Sequence, residues 1–216
     1  MSDYTALSAH FFFEESDAAL AGKAFRFRHN HFCEKTGWPL KTRNGIEKDE
    51  FDTSRTVHCA LLSGTTVACY FRANRCDRLY LSAKAFPHLA LSRPFPISAD
   101  YWDISRFGIA HDYRYLSTFL YGLAFRFAIG ENVKGLVCIL SPARQRQLKQ
   151  IGLITKPYGP ELAVHVDRGG KPELGIACEV PMSEQNFSIV RPMVSLTRHM
   201  EIKDETFVFR SGRLRA

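Results

Sequence analysis

An acid, a hydroxyl group and a base occur together in the stretch 101–110, YWDISRFGIA, among large apolar and β-prone residues. The pattern predicts a strand with one irregularity at Ser105 and Arg106. Alternation along the strand places Asp103 and Ser105 on one face, and a β-bulge would re-aim the Arg106 side chain. The carboxylate could accept a proton and the guanidinium could bind an anion. A solvated Asp–Arg pair on an edge strand is the alternative interpretation.

Several other elements must fold around this strand. A helix is predicted over residues 16–35, with Ser16 at its N-cap and Gly37 after its end. A turn at Gly64 between two β-prone runs predicts a hairpin. The remaining predictions are hairpin strands at 57–62 and 67–72, a short helix or turn at 79–89, a helix with an apolar stripe at 116–127, strands at 133–140, 162–166 and 174–180, and a helix at 143–151.

The order of these elements predicts an α/β fold, specifically an α+β sandwich with a mixed central sheet flanked by helices. It is compatible with the fold of the Gcn5-related N-acetyltransferases. Those enzymes usually hold the cofactor pyrophosphate on a glycine-containing turn after the central strand, whereas residues 110–116 contain no glycine. A plain acetyl-CoA enzyme is therefore a poor match.

Size and composition predict one domain spanning residues 1–216. The chain is 45% hydrophobic and 24% charged, which suits a single large core. Residues 193–216 are expected to form a basic C-terminal extension of uncertain order, with a possible strand at 206–209. The sequence has neither an apolar run long enough to span a bilayer nor a signal peptide pattern. We therefore expect a cytoplasmic protein without stable membrane insertion.

Charge and cysteine spacing bear on partners and metals. The net charge of +7 favours an acidic partner, but the basic residues are scattered, so nucleic acid is not expected. The six cysteines form no C-x-x-C pair, which argues against a zinc site and a disulfide framework. His29 and Cys33 share a helix face but His31 does not, so we predict no metal site.

Five separated motifs carry most of the remaining polar and aromatic residues of interest. They are Arg28-x-x-x-Phe32 followed by Trp38, Gly45-Ile-Glu-Lys-Asp49-Glu-Phe-Asp52, Arg72, Phe86, and Asp103-Ile-Ser-Arg106-Phe107. In order and spacing they resemble the LuxI-type acyl-homoserine-lactone synthases, which make quorum-sensing autoinducers. The resemblance runs from about residue 23 to residue 151. The family usually has Glu at position 103, where this chain has the shorter Asp.

The resemblance implies acylation of the amine of S-adenosylmethionine by an acyl thioester, and lactonisation with release of methylthioadenosine. Both molecules are substrates, and no cofactor is implied. The nucleotide carries a sulfonium and an ammonium, so Asp49 and Asp52 are expected to line its pocket. Its carboxylate needs a cation, for which Arg28, Arg72 and Arg106 are the candidates. The sequence does not distinguish which of them instead holds an aspartate in place.

Catalytic roles are implied for Asp103 and Arg106. Asp103 would take the proton from the amine, directly or through water, and we expect the neighbouring arginine to keep it ionised. Aromatic walls would exclude water from the site. The implied substrate-binding residues beyond the charged ones are Phe32, Trp38, Phe86, Ser105 and Phe107.

The acyl donor would be an acyl carrier protein or acyl-CoA. Arg144, Arg146 and Lys149, on the helix after Pro142, would dock an acidic carrier helix, with a solvated basic face as the alternative. Two other hypotheses compete with the synthase. One is an N-acyl amino acid synthase or another N-acyltransferase of the same fold, and the other is a non-catalytic module that kept the fold. Release of methylthioadenosine would distinguish the synthase from both.

Overall fold

The computed structural model describes residues 7–166 and 170–206, which form a mixed sheet with helices on both faces. The strands are β1 (Leu7–Phe12), β2 (Thr42–Arg43), β3 (Ile46–Glu47), β4 (Val57–Ser63), β5 (Thr66–Arg75), β6 (Tyr101–Ile109), β7 (Gly135–Leu140), β8 (Lys156–Pro157), β9 (Leu162–Val166), β10 (Pro172–Pro181) and β11 (Glu201–Asp204). The α-helices are α1 (Ala18–Arg28), α2 (Leu81–Ala85), α3 (Ser117–Gly130), α4 (Pro142–Gln150) and α5 (Phe187–Leu196).

Nine strands form the large sheet, in the spatial order β11-β1-β4-β5-β6-β7-β10-β8, with β9 paired to β10. The separate pair β2–β3 lies off this sheet. Helix α1 packs on one face through Phe25 and Ala24, and α3 packs on the other through its predicted apolar stripe. Because both faces are covered, β4 and β5 are buried along almost their whole length. The predicted mixed sheet flanked by helices is confirmed.

The hairpin β4–β5 is also confirmed, and it extends slightly beyond the predicted residues. Gly64 turns the chain with φ of +59°, a conformation that glycine adopts without steric cost. The antiparallel pairing of β9 with β10 and the helix after Pro142 are likewise present. Ser141 caps that helix by accepting a hydrogen bond from the backbone N–H of Arg144.

The first helix differs from its prediction at both ends. Its N-cap is Asp17, whose carboxylate accepts from Leu20 N at 2.9 Å, whereas Ser16 closes the preceding turn on Phe13. The α-helix ends at Arg28, and residues His29–Lys35 continue as a π-helix. The wider π turn is visible where Thr36 N donates to His31 O, five residues back, at 3.1 Å.

Six strands and α-helices were not predicted from the sequence. They are β1, β2, β3, β8, α5 and β11, the last of which pairs in parallel with β1 at the edge of the sheet. Helix α5 packs on α3 so closely that a side chain at Gly122 would meet the carbonyl of Met193. Residues 193–206 therefore contribute a helix end and a strand, while the expected strand at 206–209 lies, apart from Thr206, outside the described residues.

Within residues 7–166 and 170–206, every helix is too short or too polar to cross a membrane. The same residues contain no cluster of His, Cys, Asp and Glu that could hold a metal ion.

Candidate active site

The predicted bulge occurs in β6. Pairing with β5 runs from Arg72↔Ser105 to Tyr70↔Gly108, so β6 contains one extra residue between these pairs. Arg106 occupies the left-handed region with φ of +53°, which costs energy for a residue with a side chain. As a result, Ser105 and Arg106 both direct polar groups to the same side of the sheet, where Ser105 Oγ accepts from Arg72 Nε at 3.0 Å.

Three arginines and three acids form one ion-pair network on that side, which we call the charged network. Arg28 donates to both oxygens of Asp52 at 2.7 and 2.9 Å and to Glu47 at 2.5 Å. The other members are linked by Arg72 Nη1 to Asp49 at 2.5 Å and to Asp52 at 2.9 Å, and by Arg106 Nη2 to Asp49 at 2.8 Å and to Glu47 at 3.0 Å. The network joins α1, β5 and β6 to the segment from Glu47 on β3 to Asp52, and its three positive and three negative charges cancel.

Burial within the network is uneven. The side chains of Arg28, Arg72 and Asp52 are fully buried, whereas that of Asp49 is 19% exposed. Burial alone would raise the pKa of Asp52, but the charges of Arg72 and Arg28 outweigh it, so this pKa lies well below its usual range. Asp52 therefore holds two arginines in place, and Asp49 is the acid with access to the solvent side of the site.

Asp103 lies in a different environment from the one expected. Arg106 points toward Glu47 and Asp49, and the side chain that donates a hydrogen bond to Asp103 is Ser82, at the start of α2. Burial raises the pKa of Asp103 to about 6, against smaller opposing effects of the Ser82 hydrogen bond and the charge of Arg72. The expectation that Arg106 keeps this carboxyl ionised is therefore wrong.

The other carboxyl oxygen of Asp103, Oδ2, has no hydrogen-bond partner among the described residues. A fully buried carboxyl with one free oxygen and a pKa near 6 is suited to exchange a proton near neutral pH.

Strands β6 and β7 separate directly after Asp103. Their parallel pairing covers only Tyr101↔Gly135 to Asp103↔Val137, and beyond it β6 stays bonded to β5 while β7 stays bonded to β10. Asp103 thus sits at the base of a fork in the sheet. On the β5 side of the fork, Asn74 pairs with Asp103 and Arg72 pairs with Ser105. Asp103, Arg72 and Ser105 therefore lie on the same face of the sheet, next to the charged network.

On the other side of the fork, the same face carries an apolar cluster. The register Asp103↔Val137, with Val137↔Glu179 and Ile139↔Ala177 beyond it, continues this face across β7 and β10. The apolar cluster comprises buried Cys76, Tyr80, Leu89, Val137, Tyr158 and Ala177, bordered by partly buried Phe86, Ile139, Leu162 and Val164. Asp103 therefore lies where the charged network and the apolar cluster adjoin.

The four predicted aromatic residues lie in three different places. Phe32 stacks on Trp38 with ring centroids 5.0 Å apart, and its ring approaches β6 so closely that a side chain at Gly108 would collide with it. Phe86 borders the apolar cluster. Phe107 instead stacks on Tyr121 of α3, on the opposite face of the sheet, so the structure does not bring it to the charged network.

Comparison with known proteins decides the family. The model of the family described as "Autoinducer synthase" matches residues 12–188, a span that contains every residue of the charged network and the apolar cluster. This chain belongs to the autoinducer synthase family.

Curated and solved autoinducer synthases agree with this assignment. An acyl-homoserine-lactone synthase of Aeromonas hydrophila is 27% identical over 161 residues, covering 70% of this chain and 76% of the relative. The solved structure of BjaI, described as a CoA-dependent acyl-homoserine lactone synthase with SAM and isopentyl-CoA, superposes with a TM-score of 0.78 at 21% identity, covering 92% of this chain and 93% of BjaI.

A more distant fold relative is FeeM, described as an N-acyl amino acid synthase from uncultured soil microbes. It superposes with a TM-score of 0.57 at 13% identity, covering 90% of this chain and 98% of FeeM. At that identity the similarity shows a common fold.

One charged residue of this autoinducer synthase was missed in the sequence. Glu47 lies in the motif around Asp49 and is 1% exposed, yet its strand β3 has only two residues. Burial alone would raise its pKa, but hydrogen bonds and charge from Arg106 and Arg28 lower it. Its acidic side chain among turn residues gave no sign of burial, because its partners lie 19 and 59 positions away.

The predicted docking residues on α4 do not point the same way. Arg144 lies against α3, donating to the Tyr121 hydroxyl at 3.1 Å and to Gln147 at 2.9 Å. Arg146 and Lys149, three positions apart on the helix, are exposed. The solvent-facing basic patch on this helix therefore consists of Arg146 and Lys149.

Proposed function

We propose that this chain is an acyl-homoserine-lactone synthase that acylates the amine of S-adenosylmethionine and lactonises the product. The observation that most directly supports this proposal is the position of Asp103, a buried carboxyl with a pKa near 6 between the charged network and the apolar cluster. A charged nucleotide and a fatty acyl thioester need pockets of opposite character that meet at the reacting atoms. This arrangement supports transfer of an acyl group between such substrates.

The charged network suits the nucleotide substrate. Asp49, the most exposed of its acids, would face the ammonium or sulfonium, because a partly buried carboxylate attracts cations. Arg106, whose side chain is 5% exposed, would bind the substrate carboxylate through its guanidinium fork. Arg28, Arg72, Glu47 and Asp52 would hold these two groups in place, since their own charges are already paired.

Asp103 would act as the base in the acylation step. Its carboxylate takes a proton from the ammonium, and the freed amine attacks the thioester carbonyl carbon. The C–S bond of the thioester breaks, and the thiol leaves with a proton. The substrate carboxylate then attacks its own Cγ, the bond from Cγ to the sulfonium sulfur breaks, and methylthioadenosine is released with the lactone.

The proposal includes two further elements. The reaction needs S-adenosylmethionine and an acyl thioester as substrates and no bound cofactor, and it takes place in the cytoplasm, where both substrates are made. The donor is an acyl carrier protein or acyl-CoA, and the comparison with BjaI supports acyl-CoA as one that can be tested directly.

The direct test incubates the purified chain with S-adenosylmethionine and octanoyl-CoA or octanoyl carrier protein, and analyses the products by mass spectrometry. We expect octanoyl-homoserine lactone and methylthioadenosine in equal amounts. An acyl amide of a free amino acid, formed without methylthioadenosine, would instead support the activity that FeeM's description names. Absence of any acylated product with either donor would reject both activities.

Charge reversal on α4 tests the carrier docking surface. Changing Arg146 and Lys149 to Glu should lower kcat/KM for an acyl carrier protein about three- to ten-fold at low salt, because these charges steer an acidic partner. The salt dependence of the rate should decrease as well. The change for acyl-CoA should be smaller.

The matched control is Arg55→Glu, which reverses an exposed charge on a loop before β4. It should leave both donors unaffected. An equal loss for the carrier protein and for acyl-CoA in the α4 variant would show that this helix is not a carrier dock.

A further inference from the structure

Tyr158 carries a buried hydroxyl group with no hydrogen-bond partner within the described part of the chain. The residue is 1% exposed and belongs to the apolar cluster. Buried tyrosine hydroxyls normally find a partner, since an unpaired one keeps the desolvation penalty without compensation. Burial also raises the pKa of this hydroxyl, so it stays protonated and can donate a hydrogen bond.

The ring of Tyr158 is fixed, so the hydroxyl cannot turn out to water. The guanidinium carbon of Arg93 lies 3.8 Å from the ring centroid, and the ring of Phe95 lies 4.9 Å away. Arg93 is itself held by Glu179 at 2.5 Å and by the carbonyl of Lys156 at 2.9 Å. The backbone is held on β10, where Tyr158 N donates to Ala177 O at 2.8 Å.

The position of Tyr158 relative to Asp103 follows from the strand order. The pairing of Tyr158 with Ala177 places its side chain on the face that carries Val137 and Asp103. The backbones of Asp103 and Tyr158 are about 14 Å apart, because three strand spacings separate β6 from the end of β8 in the order β6-β7-β10-β8. An acyl chain whose carbonyl lies at Asp103 and that follows this face would extend toward Tyr158, along the apolar cluster against which partly buried Phe86 and Ile139 pack.

We propose that the Tyr158 hydroxyl donates a hydrogen bond to an oxygen atom carried near the far end of the acyl chain. This inference rests on the proposed function and specifies its substrate as an acyl thioester with a distal hydroxyl or carbonyl group. An oxygen on the third carbon lies too close to the thioester to span the distance from Asp103. A fixed donor in an apolar pocket discriminates well, because a chain without the oxygen leaves it unpaired.

The test compares the wild-type chain with Tyr158→Phe. The probes are saturated acyl-CoA chains of six, eight and ten carbons, each unsubstituted, hydroxylated at the third carbon, or hydroxylated at the terminal carbon. For one of these lengths the wild type should prefer the terminal hydroxyl over the unsubstituted chain by about five- to ten-fold in kcat/KM, the size of one neutral hydrogen bond. Tyr158→Phe should abolish that preference, chiefly by lowering kcat/KM for the terminally hydroxylated chain.

The matched control is Tyr80→Phe in the same apolar cluster. Tyr80 donates its hydroxyl to Pro96 O at 2.8 Å, so its loss should lower the melting temperature and affect all donors alike. Tyr158→Phe removes no hydrogen bond within the described residues and should leave the melting temperature unchanged or raise it. No preference for any terminal hydroxyl, or one that survives Tyr158→Phe, would overturn the inference.

Binding of non-reactive acyl-CoA thioethers to both proteins separates this inference from the proposed function. A binding preference that depends on Tyr158, without lactone formation, would reject the lactone chemistry and keep the inference. Lactone formation without a binding preference that depends on Tyr158 would support the proposed function and reject this inference.

Discussion

Asp103→Asn is expected to lower turnover by about 10²–10⁴-fold, because it removes the carboxylate that we propose as general base, at the fork between β6 and β7. The wild-type rate should rise as the pH increases through about 6, the range in which the buried carboxyl loses its proton. That rise should be absent in the variant. Steady-state kinetics from about pH 5 to about pH 9, roughly two units on either side of neutrality, measures both effects.

The same substitution should make the fold more stable at neutral pH. Because burial raises the folded pKa of Asp103 above the ordinary value of 3.8, the stability provided by the protonated carboxyl is lost as pH rises through about 6. Asn carries no such penalty, so the variant should gain about 2–3 kcal/mol above pH 7 and nothing near pH 4. Urea titrations at the two pH values measure the difference.

Asp103→Glu is the control for this position. It restores the carboxylate, so a substantial part of the activity and the dependence on pH should remain. Full activity of Asp103→Asn with an unchanged pH profile would remove Asp103 from the mechanism and assign proton transfer to water.

Glu47→Gln is expected to destabilise the fold by about 3–5 kcal/mol, because it leaves buried Arg28 and Arg106 with an uncompensated charge. The urea midpoint should fall while the slope of the transition stays the same. Since the folded pKa of Glu47 lies below its usual value, the wild-type advantage should be present at neutral pH and decrease in acid.

The matched control is Glu14→Gln, which removes the partner of exposed Lys48 at 2.6 Å. It should change stability by only about 0–1 kcal/mol, as expected for a surface pair. Asp49→Asn gives a second comparison, because its side chain is partly exposed and its loss should affect turnover more than folding. A Glu47→Gln midpoint shift no larger than that of Glu14→Gln would contradict the structural role of the charged network.

Local patterns in the sequence predicted the elements whose cause is local. The hairpin around Gly64 follows from a turn residue between two β-prone runs, and the α3 stripe follows from helical spacing of apolar residues. The bulge at Arg106 was visible as a break in alternation. Strand β11 was not predicted, because a four-residue strand at the sheet edge is stabilised by β1 rather than by its own composition.

The sequence identified most residues of the candidate site but not which of them contact each other. The motifs brought Arg28, Asp49 and Asp103 to attention, yet which acid pairs with which arginine depends on where four elements meet in space. The bulge brings Arg106 to the face that carries Asp103, but the Arg106 side chain pairs with Glu47 and Asp49 while Asp103 accepts from Ser82. Asp103 and Arg106 are close together on β6, but the pleat and the bulge decide which residues each side chain contacts.

Because His29–Lys35 form a π-helix, the number of residues in this segment determines the position of the residues after it as much as their identity does. Deleting one residue there would restore α-helical hydrogen bonding and rotate the following residues by about 100° around the helix axis. Trp38 would then lose its stacking position on Phe32 even though no aromatic residue had changed. Homologous chains that lack this extra residue should therefore stack a residue from another position on the ring equivalent to Phe32.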